Sequence, residues 1–219
     1  MELLEGIASR RSVRAFKPTP IPEETLKRIL QIAVKTPSYS NSQPWEVAVV
    51  TGKKKDELSK IIYELAKSTP AKSDIPLPGG WPAAMDQRVR EHAANRAKTL
   101  GIERGDEQKR RDMRLANFEF YGAPCVLFLF MDSTLGSWSV FDMGLFAQTV
   151  ILAAHSFGLG SCLQASVVHY PDAIRQFLGL PKTKQIVLGI SIGYADATAK
   201  INTYQSTRVA ADSFVHWYS

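Results

Sequence analysis

Trp138-Ser139-Val140-Phe141-Asp142-Met143-Gly144-Leu145-Phe146-Ala147-Gln148-Thr149-Val150-Ile151-Leu152-Ala153-Ala154-His155-Ser156-Phe157 carries apolar side chains nearly all the way round a helix of some twenty residues, broken only by polar groups such as Asp142, Gln148 and His155. A helix that is apolar on every side has to be covered on every side. Its length also suits a membrane span, but the polar interruptions and the lack of a second such run point to a protein interior, and no membrane partner is expected. In a chain of 219 residues a second copy is the simplest cover, so an obligate homodimer is expected. Continuous apolar runs of strand length lie on either side, at 124–131 and 185–194, and read as buried strands. Gly189 and Gly193 inside the second run allow another part of the chain to approach closely.

Further towards the N-terminus the pattern alternates between helix and strand. Pro22-Glu23-Glu24 opens a helix with a preset φ and two acids at the positive end of its dipole. Leu26, Ile29, Leu30, Ala33 and Val34 mark its apolar face, and Pro37 limits it. Residues 45–51 read as a strand and 53–67 as an amphipathic helix through Leu58, Ile61, Ile62 and Leu65. Residues 68–82 hold Pro70, Pro76, Pro78, Gly79, Gly80 and Pro82, which predicts a mobile surface loop. Residues 84–100 and 106–121 are charged and helical in pattern, with Gly101 placed as a C-cap. The 68–121 stretch has the character of an insertion in a single domain spanning 1–219.

Composition narrows the partners. A net charge of +6 and a pI near 9.3 suit an anionic ligand. The 21 acidic residues are mixed among the 27 basic ones, however, and no aromatic-rich basic patch points to nucleic acid. Cys125 and Cys162 lack metal-ligand spacing and read as reduced and structural. The N-terminal residues lack the basic and apolar regions of a signal peptide, so a cytoplasmic location is expected. No H-E-x-x-H, P-loop or G-x-G-x-x-G pattern occurs; the G-x-S-x-G match at Gly189 to Gly193 lies inside the second apolar run and not at a strand-to-helix turn, and the four histidines are scattered among different elements. Trp81, Trp138 and Trp217 read as packing residues.

Four segments carry binding chemistry. Arg10-Arg11-Ser12-Val13-Arg14 places three guanidiniums and a hydroxyl within five residues. A guanidinium fork matches phosphate and carbonyl edges and stays charged, although a short basic run taken alone is often a solvated turn. The loop through Pro37, Ser38, Tyr39, Asn41 and Gln43 is dense in amides and hydroxyls suited to the edge of a heterocycle. Taken alone, it is an ordinary helix-to-strand turn. Gly158-Leu159-Gly160-Ser161-Cys162-Leu163-Gln164-Ala165 reads as a helix C-cap and turn whose glycines let the backbone approach a ligand. Arg208 stands isolated in a polar tail.

In this order and at these spacings, Arg10 to Arg14, Pro37-Ser38 with Asn41 to Trp45, Gly158 to Cys162 after a long apolar helix, and a late Arg208 resemble the nitroreductase family of flavoproteins. The likeness spans the chain outside 68–121. The insertion and the ending Asn202 to Arg208 look more like its nitroaromatic or nitrobenzoate reductase branch. The resemblance implies an α+β fold, a central antiparallel sheet wrapped by helices, built as an intertwined homodimer with FMN at the subunit interface. It assigns Arg10, Arg14 and Arg208 to the phosphate and ribityl side of FMN, and Arg11 and Ser12 to the flavin and ribityl polar edge. Pro37, Ser38, Tyr39 and Asn41 come from the other subunit, with Gln43 supporting that loop or reaching the ring. Leu163, Gln164 and Ala165 lay backbone against the flavin, with an amide near N5. Ala165 stands where some members carry Glu, so no role for that carboxylate transfers.

The implied reaction is hydride transfer from NAD(P)H to flavin N5 and on to a nitroaromatic or quinone acceptor in a ping-pong cycle, with no protein acid or base. Alternatives on the same fold are dehalogenation, ring oxidation or flavin breakdown, or a non-catalytic FMN-binding redox sensor. The 68–82 loop and the helices after it are expected at the pocket mouth, where Trp81 and Phe118 or Phe120 offer walls to a small aromatic acceptor.

Overall fold

A computed structural model of the chain describes residues 2–219. The elements run α1 (Leu3–Ser9), α2 (Glu23–Ala33), β1 (Glu46–Thr51), α3 (Gly52–Ser68), α4 (Ala83–Thr99), α5 (Glu107–Leu115), β2 (Cys125–Asp132), α6 (Ser137–Ser156), β3 (Gly160–Gln164), α7 (Pro171–Leu178) and β4 (Lys184–Gly193), joined by short 3₁₀ turns. The strands form one antiparallel sheet in the order β1-β2-β4-β3.

Period-two alternation along β2 sends side chains to two cores. Cys125, Leu127, Leu129 and Met131 face α2 and α6, while Val126, Phe128 and Phe130 face α3 and α7. In β4 the alternation is broken deliberately. Leu129 pairs with Leu188 and Phe130 with Ile186, so Val187 forms a bulge and Ile186 faces the side opposite to Ile190 and Ile192.

Local sequence chemistry sets the helix ends. Glu23 and Glu24 sit in the first turn of α2, and Lys27 pairs with Glu23 at 2.8 Å. The Asp106 carboxylate accepts from Lys109 N–H at 3.1 Å and caps α5. Pro171 starts α7, and Gly179 ends it at φ +68. Gly101, at φ +69, follows α4 as expected.

Three expectations are corrected. Residues 158–165 are not only a cap and turn: Gly158 caps α6 at φ +74, and 160–164 form the edge strand β3. The helical pattern after Asp106 stops at Leu115; residues 116–119 go on only as turns, and Phe120 and Tyr121 take positive φ. The 68–82 loop is pinned rather than loose. The Asp74 carboxylate accepts from the buried Arg175 guanidinium and from Ile186 N–H at 2.8 Å, and Thr69 C=O accepts from Tyr170 Oη at 3.0 Å. Arg175 also reaches Asp172 at 2.8 Å, so a single guanidinium ties the loop to α7 and β4.

The glycines of β4 are required by space. A Cβ on Gly189 would lie 2.2 Å from Val167 Cγ2, and one on Gly193 would lie 2.6 Å from Pro124 Cδ. Gly189→Ala should therefore destabilise the fold by about 1 to 3 kcal/mol in urea titrations, and adding Val167→Ala should recover part of the loss. An unchanged urea midpoint for the single variant would contradict this packing.

Candidate functional site

The arginine segment is held against the sheet edge by backbone. Val13 N–H donates to Ser161 C=O at 2.9 Å, and Ser12 forms a parallel bridge with Ser161. A Cβ on Gly160 would lie 2.6 Å from Val13 Cγ2. The close approach read into this glycine thus serves the arginine segment itself. On the other side, the Asn202 carboxamide accepts from Arg14 N–H at 2.8 Å and donates to Ala15 C=O at 2.8 Å and Asp196 C=O at 2.9 Å. Buried Asn202 therefore positions Arg14, a role the sequence reading did not assign.

Two adjoining cavities open where these segments meet. The larger, about 730 Å³, lies between a wall of Arg11, Ser12, Arg14, Ser206 and Arg208 and a wall of Trp81, Met85, Arg88, Val89 and His92 from α4 and the residues before it. Tyr204 closes one side. The smaller, about 490 Å³, is bounded by Ser9, Arg10, Arg11, Ser12, Ser206 and Arg208. Arg11, Ser12, Ser206 and Arg208 are common to both, so the volumes form one bent recess. That size and mix suit a cofactor-sized ligand. The helices after the 68–82 loop were expected at the pocket mouth with Trp81, but the sequence reading did not single out Met85, Arg88, Val89 and His92, which recur at three- and four-residue spacing on one helical face.

The recess is electropositive. Among the described residues, Arg10, Arg11, Arg14, Arg88 and Arg208 make no ion pair. The Arg14 guanidinium donates to Ser12 C=O at 3.4 Å, and its buried Nε has no partner; nor does the buried Nε of Arg96 behind it. Glu91 also lines the cavity but pairs with none of these guanidiniums, and guanidiniums gathered without carboxylate partners call for an anion. His92 shares a hydrogen bond of 2.8 Å with Tyr204 Oη. Burial first, and then the Arg96, Arg14 and Arg208 charges, hold its imidazole below the usual histidine range. Burial pushes the Tyr121 phenol up, and its Oη donates to Asn117 Oδ1 at 2.7 Å.

The other sequence-derived candidates divide. Leu163 and Ala165 are exposed, and Leu163 lies two residues beyond Ser161 on the same open edge of β3, where its N–H points away from β4. The Gln164 side chain is not available, because its Oε1 accepts from Ser191 Oγ and its Nε2 donates to Asn117 C=O at 3.0 Å. Phe118 and Phe120 are core residues and cannot wall the pocket, whereas Trp81 does line it. Trp138 and Trp217 are exposed at 66% and 89%, so neither is buried in the core, although Trp138 stacks on Tyr39.

Pro37, Ser38, Tyr39, Asn41 and Gln43 lie at the far end of α6 from the arginines. The Asp142 carboxylate, near the start of α6, accepts from Tyr39 N–H at 3.1 Å, whereas His155, near its end, bonds Ser9 Oγ at 2.9 Å. Thirteen residues of helical rise separate these anchors by about 20 Å. Ser38 Oγ accepts from Gln43 N–H at 3.0 Å, and Gln43 Nε2 donates to Asn41 C=O at 3.2 Å. Ser40, Asn41 and Gln43 all take positive φ, a strained loop fixed by these bonds.

Protonation of His92 checks the electrostatics. Its native affinity for protons is lower than in the unfolded chain, so acidification through the unfolded value near 6.5 favours unfolding. His92→Gln should flatten the fall in stability below that pH, and the His92 ring should titrate below 6.5 by NMR in the parent. A ring titrating above 6.5 would refute this account of the charge field.

A protein-family model described as the nitroreductase family matches residues 7–194. A 4-nitrobenzoate reductase of Pseudomonas putida is 37% identical over 96% of this chain and 93% of its own length. A nitrobenzene nitroreductase of Ectopseudomonas oleovorans is 32% identical over 95% and 93%. The crystal structure of the FMN-dependent nitroreductase NfnB from Mycobacterium smegmatis, in complex with NADPH, superposes with a TM-score of 0.95 at 33% identity, covering 99% of this chain and 97% of that one. With the sheet, the long apolar helix and the arginine-lined recess all in place, the chain belongs to the nitroreductase family.

Proposed function

We propose that this protein is an FMN-dependent oxidoreductase that uses NAD(P)H to reduce nitroaromatic or quinone acceptors in a ping-pong cycle. The observation that carries the reading is the recess lined by guanidiniums without carboxylate partners, on a fold shared with an FMN-dependent nitroreductase. When bound, FMN supplies the redox chemistry, taking hydride at N5 from the nicotinamide and passing electrons to the acceptor. The chain's own groups bind and orient. Arg10 and Arg208, which share the smaller cavity, suit the phosphate. Arg11 and Ser12 run along both cavities and suit the ribityl and ring polar edge. Arg14 lines the larger cavity and not the smaller one that Arg10 and Arg208 share, which suits the carbonyl edge of the ring better than the phosphate role implied by family resemblance. The open β3 edge at Leu163 and Ala165 offers backbone donors. The insertion contributes the second wall of the recess within the same domain.

The protein acts as a homodimer in this reading. Phe141 is 59% exposed, Trp138 stacks on exposed Tyr39 at 5.7 Å, and Leu3, Leu4 and Ile7 are uncovered, so one side of α6 and α1 lacks a partner. A two-fold pairing along α6 lays the start of one helix beside the end of the other. It brings the partner's loop at 37–43 alongside the arginines, spanning the 20 Å gap described above. Free, buried Cys125 and Cys162 and the use of NAD(P)H favour the cytoplasm.

Purified protein should be yellow, and anaerobic NADH or NADPH should bleach it; initial rates with a nitroaromatic should give parallel double-reciprocal lines. A colourless protein that cannot be reconstituted with FMN would reject the flavin reading, and intersecting lines would reject the shared site. Arg14→Ala should lose FMN on dialysis, with a Kd raised about tenfold or more and little change in Tm. Phe141→Arg should yield a folded monomer of about 24.3 kDa without FMN. A Phe141→Arg monomer that keeps FMN would remove the interface from the site.

A further inference from the structure

We infer that Arg88 reads a carboxylate on the aromatic acceptor and so tunes this enzyme towards anionic nitroaromatics such as nitrobenzoates; the inference rests on the flavin-enzyme reading above.

The recess holds more positive charge than a phosphate and a flavin edge require. Arg10, Arg11, Arg14 and Arg208 all stand on the wall built from the N-terminal segment and the tail. Arg88 stands across from them, on α4, between Met85 and His92 and on the side carrying Trp81. No carboxylate pairs with it directly. Asp86 is paired with Arg90 at 2.7 Å, and Glu91, the acid of the lining, keeps its charge but accepts from Gln87 Nε2 at 2.8 Å rather than from Arg88. His92 is held towards its neutral form and Tyr204 binds it, so neither supplies a cation on this wall. Arg88 has no ion-pair partner among the described residues, and it faces Arg14 and Arg208 across a cavity where like charges repel.

The surrounding surface is shaped for a flat ring. Trp81, Met85 and Val89 give an apolar lining beside the guanidinium, and a guanidinium fork pairs with a carboxylate through two parallel hydrogen bonds. An aromatic ring against these side chains with its carboxylate on Arg88 satisfies both. A neutral nitrobenzene gains the apolar contact alone. The two kinds of acceptor occur among the relatives by name, a 4-nitrobenzoate reductase and a nitrobenzene nitroreductase.

The test compares the holoenzyme with Arg88→Gln and Arg88→Lys at matched FMN content. In Arg88→Gln, kcat/KM for 4-nitrobenzoate should fall about tenfold or more, mainly through KM, while that for nitrobenzene falls less than about threefold. Arg88→Lys should lie between, because an ammonium keeps the charge without the fork. Benzoate binding to the oxidised enzyme, followed by perturbation of the flavin absorbance, should weaken by the same factor. Equal losses for the charged and neutral acceptors, or unchanged benzoate binding, would overturn the proposal. So would a selective loss with NADPH relative to NADH and an unchanged acceptor ratio, which would place Arg88 on the donor's phosphate. A parent protein without flavin would instead strike down the underlying reading, and this inference with it.

Discussion

The backbone bond from Val13 N–H to Ser161 C=O, made possible by the absent side chain at Gly160, organises everything around the recess. It docks the arginine segment on the free edge of β3 and leaves the residues on either side of Val13 projecting past the sheet. Val13 itself enters the core beside Phe16, so the segment is fixed by apolar burial as well as by its hydrogen bond. Asn202 then closes the segment from the far side with three hydrogen bonds, one accepted and two donated. Guanidiniums mounted on backbone held at both edges lose little conformational freedom on binding, which is the condition for preorganised anion recognition.

Charge placement follows from that scaffold. Both cysteine thiols are inert by burial, Cys125 pushed up to about 12 and Cys162 also raised, even though Cys162 lies among the Arg14, Arg96 and Arg10 charges. Desolvation outweighs the favourable charges at Cys162, so the thiol stays protonated beneath the site and does not compete with a ligand for the arginines. At His92 burial and the arginine charges act in the same direction, and both keep the imidazole towards neutrality. The positive field of the recess therefore comes from guanidiniums alone, which do not titrate near neutral pH, and anion binding there has no histidine switch.

Much of this was legible in the residues, and the gaps have physical causes. The strand and helix at residues 45–51 and 53–67, the two central strands and the apolar helix follow from hydrophobic period and length, which burial enforces strongly. Gly189 and Gly193 were legible because a glycine inside an apolar strand has few other uses. The strand at 160–164 was missed because Gly-Ser-Cys-Leu-Gln has weak strand character; its pairing with β4 and the Val13 bond are tertiary. The loop at 68–82 looked free because breakers are local signals, whereas Asp74 is fixed by Arg175, a residue 101 positions away. Phe118 and Phe120 were placed in the pocket because aromaticity does not tell a core side chain from a wall. The helices after residue 82 were expected at the pocket mouth, but which of their residues face it was not legible, since a basic residue facing a ligand and one facing water look alike until the opposite wall is known.

In the proposed dimer, the long helix is the feature that ties assembly to the site. Its two ends hold different parts of the candidate site, Asp142 gripping the Tyr39 loop and His155 meeting Ser9 just before the arginines. No rearrangement of loops within one protomer closes a gap of about 20 Å spanned by a packed helix. Completion of the site by a second copy needs only the two-fold pairing that the bare side of the helix already favours. In that arrangement a ligand bridging both halves binds the dimer and not the monomer, so it must stabilise the dimer by the same free energy with which dimerisation strengthens its binding. The buried carboxylate of Asp142 then has a purpose beyond local satisfaction. It holds the strained Tyr39 to Gln43 loop in one shape before association, so that the entropy of ordering that loop is spent on folding rather than on assembly.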